Sequence, residues 1–246
     1  MKNQTTPYIR RAKRYLSMLN KIAQSRPLIV STLLGLLLIP LLYLINSYSP
    51  APEKAPKDYN SVILAFEFVS DEQELTEVLS PLTLEEINGL DMLNKVDFAF
   101  MLLYGVFLLS IVIKLRDLHQ HKWLIYLAGM VVIVVLADFL ENLQLLNLTE
   151  AYRSAATTDQ GIIDQLAIFT WTKWILLAVV IAGIGYSLIT AERYKGLGYA
   201  LFIPIVLGFS AVSLQTAIIE DTFGTSIFLF FFILWALSFL YKAKRT

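Results

Sequence analysis

The chain has 246 residues, 57% of them hydrophobic, and a mean hydropathy of +0.62. Soluble domains average about 45–50% apolar, so length here is best read as a count of membrane spans, each needing about 20 apolar residues. Twenty basic residues balance twenty acidic ones, which leaves no bulk charge for binding nucleic acid, and the absence of cysteine excludes disulfides, cysteine-ligated clusters and thiol catalysis.

Residues 1–26 carry Lys2, Arg10, Arg11, Lys13, Arg14, Lys21 and Arg26 and no acid. Thr6-Pro7 reads as an N-cap followed by proline at the first helical position. Ile9, Ala12, Leu16, Leu19 and Ala23 then share one face. This predicts a basic amphipathic helix on the cytoplasmic leaflet, a reading compatible with a plain positive-inside anchor.

The first span is expected over 27–47. Its apolar core is longer than a signal-peptide h-region of about 7–15 residues, so it reads as a retained anchor. The charge then changes sign. Residues 48–95 hold three lysines against ten acids and are expected to form an extracytoplasmic segment. Pro50, Pro52 and Pro56 mark a short extended linker. The apolar run Ser61–Ser70 is too short to span, and periodicity leaves both a short interfacial helix and a strand open. Ser70 with Gln73 and Thr83 with Glu86 fit capping-box spacing, which predicts helices at about 71–80 and 84–94. Each has an apolar face, so the segment reads as a small helical cap on the ends of the spans.

Residues 96–246 are expected to form a five-helix transmembrane bundle, with spans near 96–114, 123–146, 167–190, 197–219 and 225–241. The joining loops are 114–122, 147–166, 191–196 and 220–224. The fold class is therefore all-α, a polytopic bundle of six transmembrane helices with the cap between the first and second. An even count puts both termini on one side. That side then holds fifteen of the twenty basic residues, and the cap side holds four, Lys54, Lys57, Lys95 and Arg153. The bias predicts a cytoplasmic (inner) membrane protein with both termini cytoplasmic. The halves show no repeat, so an inverted-repeat transporter has little support. Pro204 is expected to kink the fifth span.

The last basic residue, Lys173, lies inside the fourth span. Asp138, Glu141 and Asn142 lie inside the third, spaced i, i+3, i+4 on one helical face. A charge in a bilayer core costs about 3 kcal/mol on insertion scales, so these residues need partners. Counted from their span ends, Asp138 is about 12 Å deep and Lys173 about 9 Å. Matching depths predict that Lys173 meets Glu141 or Asp138. Asp97 opens the second span at the same level, with Tyr104 two turns deeper on its face. Gln215 ends the fifth span nearby. Glu67, isolated among apolar residues, is placed to fold down over the cluster.

Two readings follow. In one, a polar pocket in the outer half of the bilayer binds a ligand or relays protons, since an excess of acids over one lysine raises the pKa of at least one. In the other, Lys173 neutralises an acid and the site is a structural clamp. His119 and His121 sit in a short loop at i, i+2, which is not zinc-pair spacing, so they read as solvated and no metal is expected. No phosphate loop, G-x-S-x-G or H-E-x-x-H is present, and no cofactor is expected. Trp123, Trp171, Trp174, Tyr126 and Tyr241 read as an interfacial belt, with Trp171 or Trp174 placed for a cation–π contact to Lys173. Phe228–Phe232 read as lipid-facing or packing. The leading functional expectation is binding or movement of a small amphiphilic or cationic ligand, with membrane lipids as the other partner. A non-catalytic scaffold or assembly factor and a lipid-modifying enzyme are the alternatives.

Overall fold

The structure is a computed structural model that describes residues 26–154 and 159–242. The expected N-terminal amphipathic helix lies outside the described residues. Within them every regular element is helical, and six helices are long and apolar enough to cross a membrane.

In chain order the helices are α1 (Ile29–Tyr48), α2 (Val62–Glu67), α3 (Glu72–Leu79), α4 (Leu84–His119), α5 (Leu124–Arg153), α6 (Gln160–Thr190), α7 (Lys195–Ala200), α8 (Ile203–Leu214) and α9 (Ala217–Leu240). A 3₁₀ turn, Pro52–Lys54, sits in the proline-rich linker. The run at 61–70 is a helix, started by the Ser61 side chain, which accepts the Leu64 N–H. α7 and α8 form the fifth span. They part at Leu201-Phe202, just before Pro204, whose ring and missing N–H cannot continue the helix. The long helices pack in the order α1, α4, α5, α6, α8, α9, and α9 closes the ring against α1.

Three local expectations are corrected. First, the helix expected at 84–94 and the span expected from 96 are one helix of 36 residues. The Thr83–Glu86 capping box starts it, and nothing in Asn94-Lys95-Val96 is strong enough to stop it. At 1.5 Å per residue it is about 54 Å long, well beyond a hydrocarbon core of about 30 Å. α5 and α6, with 30 and 31 residues, project with it, so the loop expected over 147–166 is largely helix. The projecting ends supply the floor of a second core. Ile87, Leu90, Leu145, Leu148, Ile163 and Leu166 pack there against the apolar faces of α2 and α3. Second, α3 is capped by Asp71, which accepts the Glu74 N–H at 2.9 Å, while the Glu74 carboxylate reaches back to Ser70. Third, residues 220–224 are not a loop. The turn is Gln215-Thr216, with Gln215 left-handed at φ 44°, and Glu220 and Asp221 lie at the start of α9. Acids there suit the positive end of the helix dipole.

Those acids hold the cap in place. The Tyr59 hydroxyl donates to Glu220 at 2.5 Å, and the Asn60 backbone and side-chain N–H groups donate to the two oxygens of Asp221 at 3.0 and 2.8 Å. Burial beside Glu220 pushes the Tyr59 hydroxyl pKa well up, so it stays a donor.

Candidate functional site: one lysine among four carboxylates

A glycine fixes the depth of the site. A Cβ on Gly89 would lie 2.9 Å from the carbonyl oxygen of Tyr48, the last residue of α1, so only glycine lets the two backbones meet there. Asp97 is eight residues further along α4, about 12 Å deeper. Around that level the structure gathers all seven residues expected from the sequence: Glu67 from α2, Asp97 and Tyr104 from α4, Asp138, Glu141 and Asn142 from α5, and Lys173 from α6.

Lys173 is the hub. Its Nζ is 3.0 Å from Glu67 Oε2 and 3.5 Å from Asp138 Oδ1, and it touches the carboxylate of Glu141. It also lies 4.7 Å from the centroid of the Trp174 ring, the cation–π contact expected from adjacency. Each acid has a neutral donor as well. The Tyr104 hydroxyl donates to Asp138 at 2.5 Å, and the Asn142 amide donates to Asp97 at 2.6 Å. The Trp174 indole N–H donates to Glu67 at 2.9 Å. Thr170 Oγ1 lies 2.6 Å from Glu141 Oε1 and 3.0 Å from the Glu67 carbonyl, with one proton to share between them. Glu141 Oε2 has no hydrogen-bond donor of good geometry, but the ammonium against it supplies the charge.

Thr170 was not expected in the site, and Trp174 was expected only as a cation–π partner of Lys173, not as a donor to Glu67. Thr170 stands three residues before Lys173 and therefore on the same helical face, which was a readable signal. Trp174, assigned to an interfacial belt, is 3% exposed and faces inward because Glu67 needs its N–H. Gln215 does not join the cluster; it borders a separate hollow on the cap side.

The charge balance is uneven. Glu67, Asp138 and Glu141 share one ammonium, whereas Asp97 has no cationic group within 4 Å among the described residues. Burial pushes the Glu67 carboxyl above its ordinary range, with the Lys173 ammonium opposing the shift.

A cavity of about 80 Å³ opens from this cluster. Glu67, Asp97, Tyr104, Asp138 and Lys173 give it a polar wall, and Phe100, Leu177, Ile227 and Phe231 an apolar one. A second, polar hollow of about 400 Å³ lies under the cap between Tyr59, Glu74, Glu77, Trp171 and Glu220. Glu67 borders both.

At the opposite end of the bundle the histidines depart from expectation. His119 is the last residue of α4, with Nδ1 2.8 Å from Ser187 Oγ and Nε2 2.7 Å from the Tyr241 hydroxyl. His121 Nδ1 is 3.3 Å from the same Ser187. They are not solvated loop groups. They tie the end of α9 to α6 and α4.

The site can hold a cation or carry a proton. The space between three of its acids is already filled by the Lys173 ammonium, which disfavours a hard metal ion there. In comparisons with known proteins, no family model, no curated protein and no solved structure matches this chain, so its function has to be argued from this site.

Proposed function

We propose that the protein binds a small lipophilic cation inside the membrane, with the charged head at Asp97 and Asp138 and the apolar body along the cavity wall. One observation carries this reading: Asp97 is a half-buried carboxylate that borders a cavity and has a neutral amide rather than an ammonium as its partner. An uncompensated carboxylate at this depth costs several kcal/mol, and a bound cation removes that cost. The surrounding Phe100, Tyr104, Trp174 and Phe231 fit the same chemistry, because aromatic faces attract quaternary and other organic cations. The cavity is narrow against the roughly 300–1,000 Å³ of drug-sized pockets, which favours a single alkyl chain over a bulky aromatic ligand.

The residues divide the work. Asn142 orients Asp97, Tyr104 orients Asp138, and Lys173 balances the charge of Asp138, Glu141 and Glu67. The basic bias toward both termini supports a cytoplasmic membrane in which the acidic cap faces outward and the site lies in the outer half.

The test is equilibrium binding of octyltrimethylammonium to the purified protein in a nonionic detergent, with octyl sulfate as the same chain carrying the opposite charge. The cation binds saturably and the sulfate does not. Asp97→Asn, which keeps the acceptor for Asn142, weakens binding about tenfold or more. Equal binding of both amphiphiles, or of the cation to both proteins, returns the cluster to a purely structural clamp.

A further inference from the structure

Resting on that reading, we infer that the cation reaches Asp97 sideways from the lipid leaflet at the cap end, through a mouth between α1 and α9, and not from the water beyond the cap.

Exposure along the cavity carries the argument. Among the polar residues that line it, Tyr104 and Asp138 are 3% exposed, Lys173 is 6%, and Asp97 is half-buried. Among the apolar ones, Ile39 of α1 and Phe228 and Phe232 of α9 are 43%, 39% and 48% exposed. Those three lie on spanning helices and present apolar side chains, so the surface they open onto is lipid. A ligand passing them meets hydrocarbon first and carboxylate last, which is the polarity order of a membrane-borne amphiphile lying with its head inward.

The other exits are shut by named bonds. Toward the cap, α2 is a plug. Its last residue, Glu67, is held by Lys173 and Trp174, and its carbonyl lies against Thr170. Toward the opposite end, α1 and α9 are sealed. The Trp235 indole N–H donates to the Thr32 carbonyl at 3.1 Å, and the Thr32 and Ser238 hydroxyls lie 3.1 Å apart. A Cβ on Gly35 would lie 2.2 Å from the Trp235 ring, so the seam closes there as tightly as glycine allows. One turn further toward the cap, Pro40 removes one backbone hydrogen bond from α1 beside Ile39. The wall of the mouth is thus the stretch of α1 that bends most easily.

Two measurements test this in lipid nanodiscs. The first uses binding rates of octyltrimethylammonium. A side chain on the entry path changes the association and dissociation rates together and leaves Kd in place. Ile39→Trp, at the mouth, slows both about tenfold with little change in Kd, whereas Glu77→Trp, in the cap-side hollow, alters neither rate. The reverse pattern overturns the inference, because it places entry through the hollow. The second measurement needs no ligand. With Trp123, Trp171 and Trp235 replaced by Phe, the remaining Trp174 reports on the cavity. Lipids brominated on their acyl chains quench its fluorescence, and aqueous iodide does not. Quenching by iodide, or none by brominated chains, overturns the lateral mouth. Absence of cation binding with the expected quenching pattern overturns the ligand assignment instead, so the two failures are distinguishable.

Discussion

Both ends of this bundle bury polar side chains, and they do so in opposite ways. At the end away from the cap, Thr32, Ser238, Trp235, Ser187, His119 and Tyr241 are neutral groups paired donor to acceptor. At the cap end, three carboxylates surround one ammonium with a fourth, Asp97, nearby, and the arrangement borders a cavity. Neutral pairs satisfy each other and add about 0.5–1.5 kcal/mol each, which is how helices are fastened together. Clustered like charges repel, lose their hydration, and leave one member without a counter-ion. A fold does not need such a cluster to hold helices together. The difference teaches that burial of polar groups alone does not mark a site; an uncompensated remainder facing open space does.

The comparison is most exposed at Lys173. Lys173→Met leaves four acids without an ammonium and is expected to cost about 3–5 kcal/mol, read as a large fall in thermal stability in mild detergent. Adding Asp138→Asn or Glu141→Gln recovers part of that loss, because fewer like charges are left facing one another. If Lys173→Met were no worse than removing one hydroxyl at the opposite end, the two regions would be energetically alike.

Gly35→Ala comes next, at about 1–3 kcal/mol, because the added methyl overpacks Trp235 and that ring must move. A thermal-stability comparison with Gly129→Ala, where a Cβ meets nothing within 4 Å, controls for propensity. Thr32→Val removes the hydroxyl shared with Ser238 and costs about 1 kcal/mol with cation binding unchanged. Binding lost in Thr32→Val without loss of fold would mean that the neutral end also serves the ligand.

The smallest stability effect and the sharpest contrast belong to Asp97→Asn. Because the charge there is held at a cost, its removal leaves the protein equally stable or stabilises it by up to about 1 kcal/mol, while binding of octyltrimethylammonium falls. A large destabilisation would show that Asp97 is compensated within the fold, and the contrast between the ends would collapse.

Much of the site was legible because charge is conspicuous in an apolar run. Asp138, Glu141 and Asn142 share a face by spacing alone, and depth counting brought Lys173 to their level. Glu67 was legible as the one acid in an apolar stretch too short to span. The bond from Trp174 to Glu67 was not, because an indole near a span end reads as an interfacial anchor whether it points to lipid or inward. Glu220 and Asp221 were misread as loop residues for a related reason. Acids break an apolar run, yet they also suit a helix N-terminus, and periodicity cannot separate the two roles. Phe228 and Phe232 read as lipid-facing or packing residues, and only the tertiary structure shows that they edge a cavity.

The sequence by itself determined six apolar helices, the sign change of charge across the first of them, and the presence of ionisable residues too deep to be left alone. Those follow from composition and from the period of a helix, which are local properties. Tertiary structure decided which carboxylates share the lysine and which one is left over. It also decided that Glu67 of the cap reaches into the bundle to Lys173, and that a cavity is bordered by both α1 and α9. Those depend on the rotation of each helix about its axis and on contacts between residues far apart in the chain, 106 positions for Lys173 and Glu67 and 206 for Thr32 and Ser238, and no local pattern encodes them.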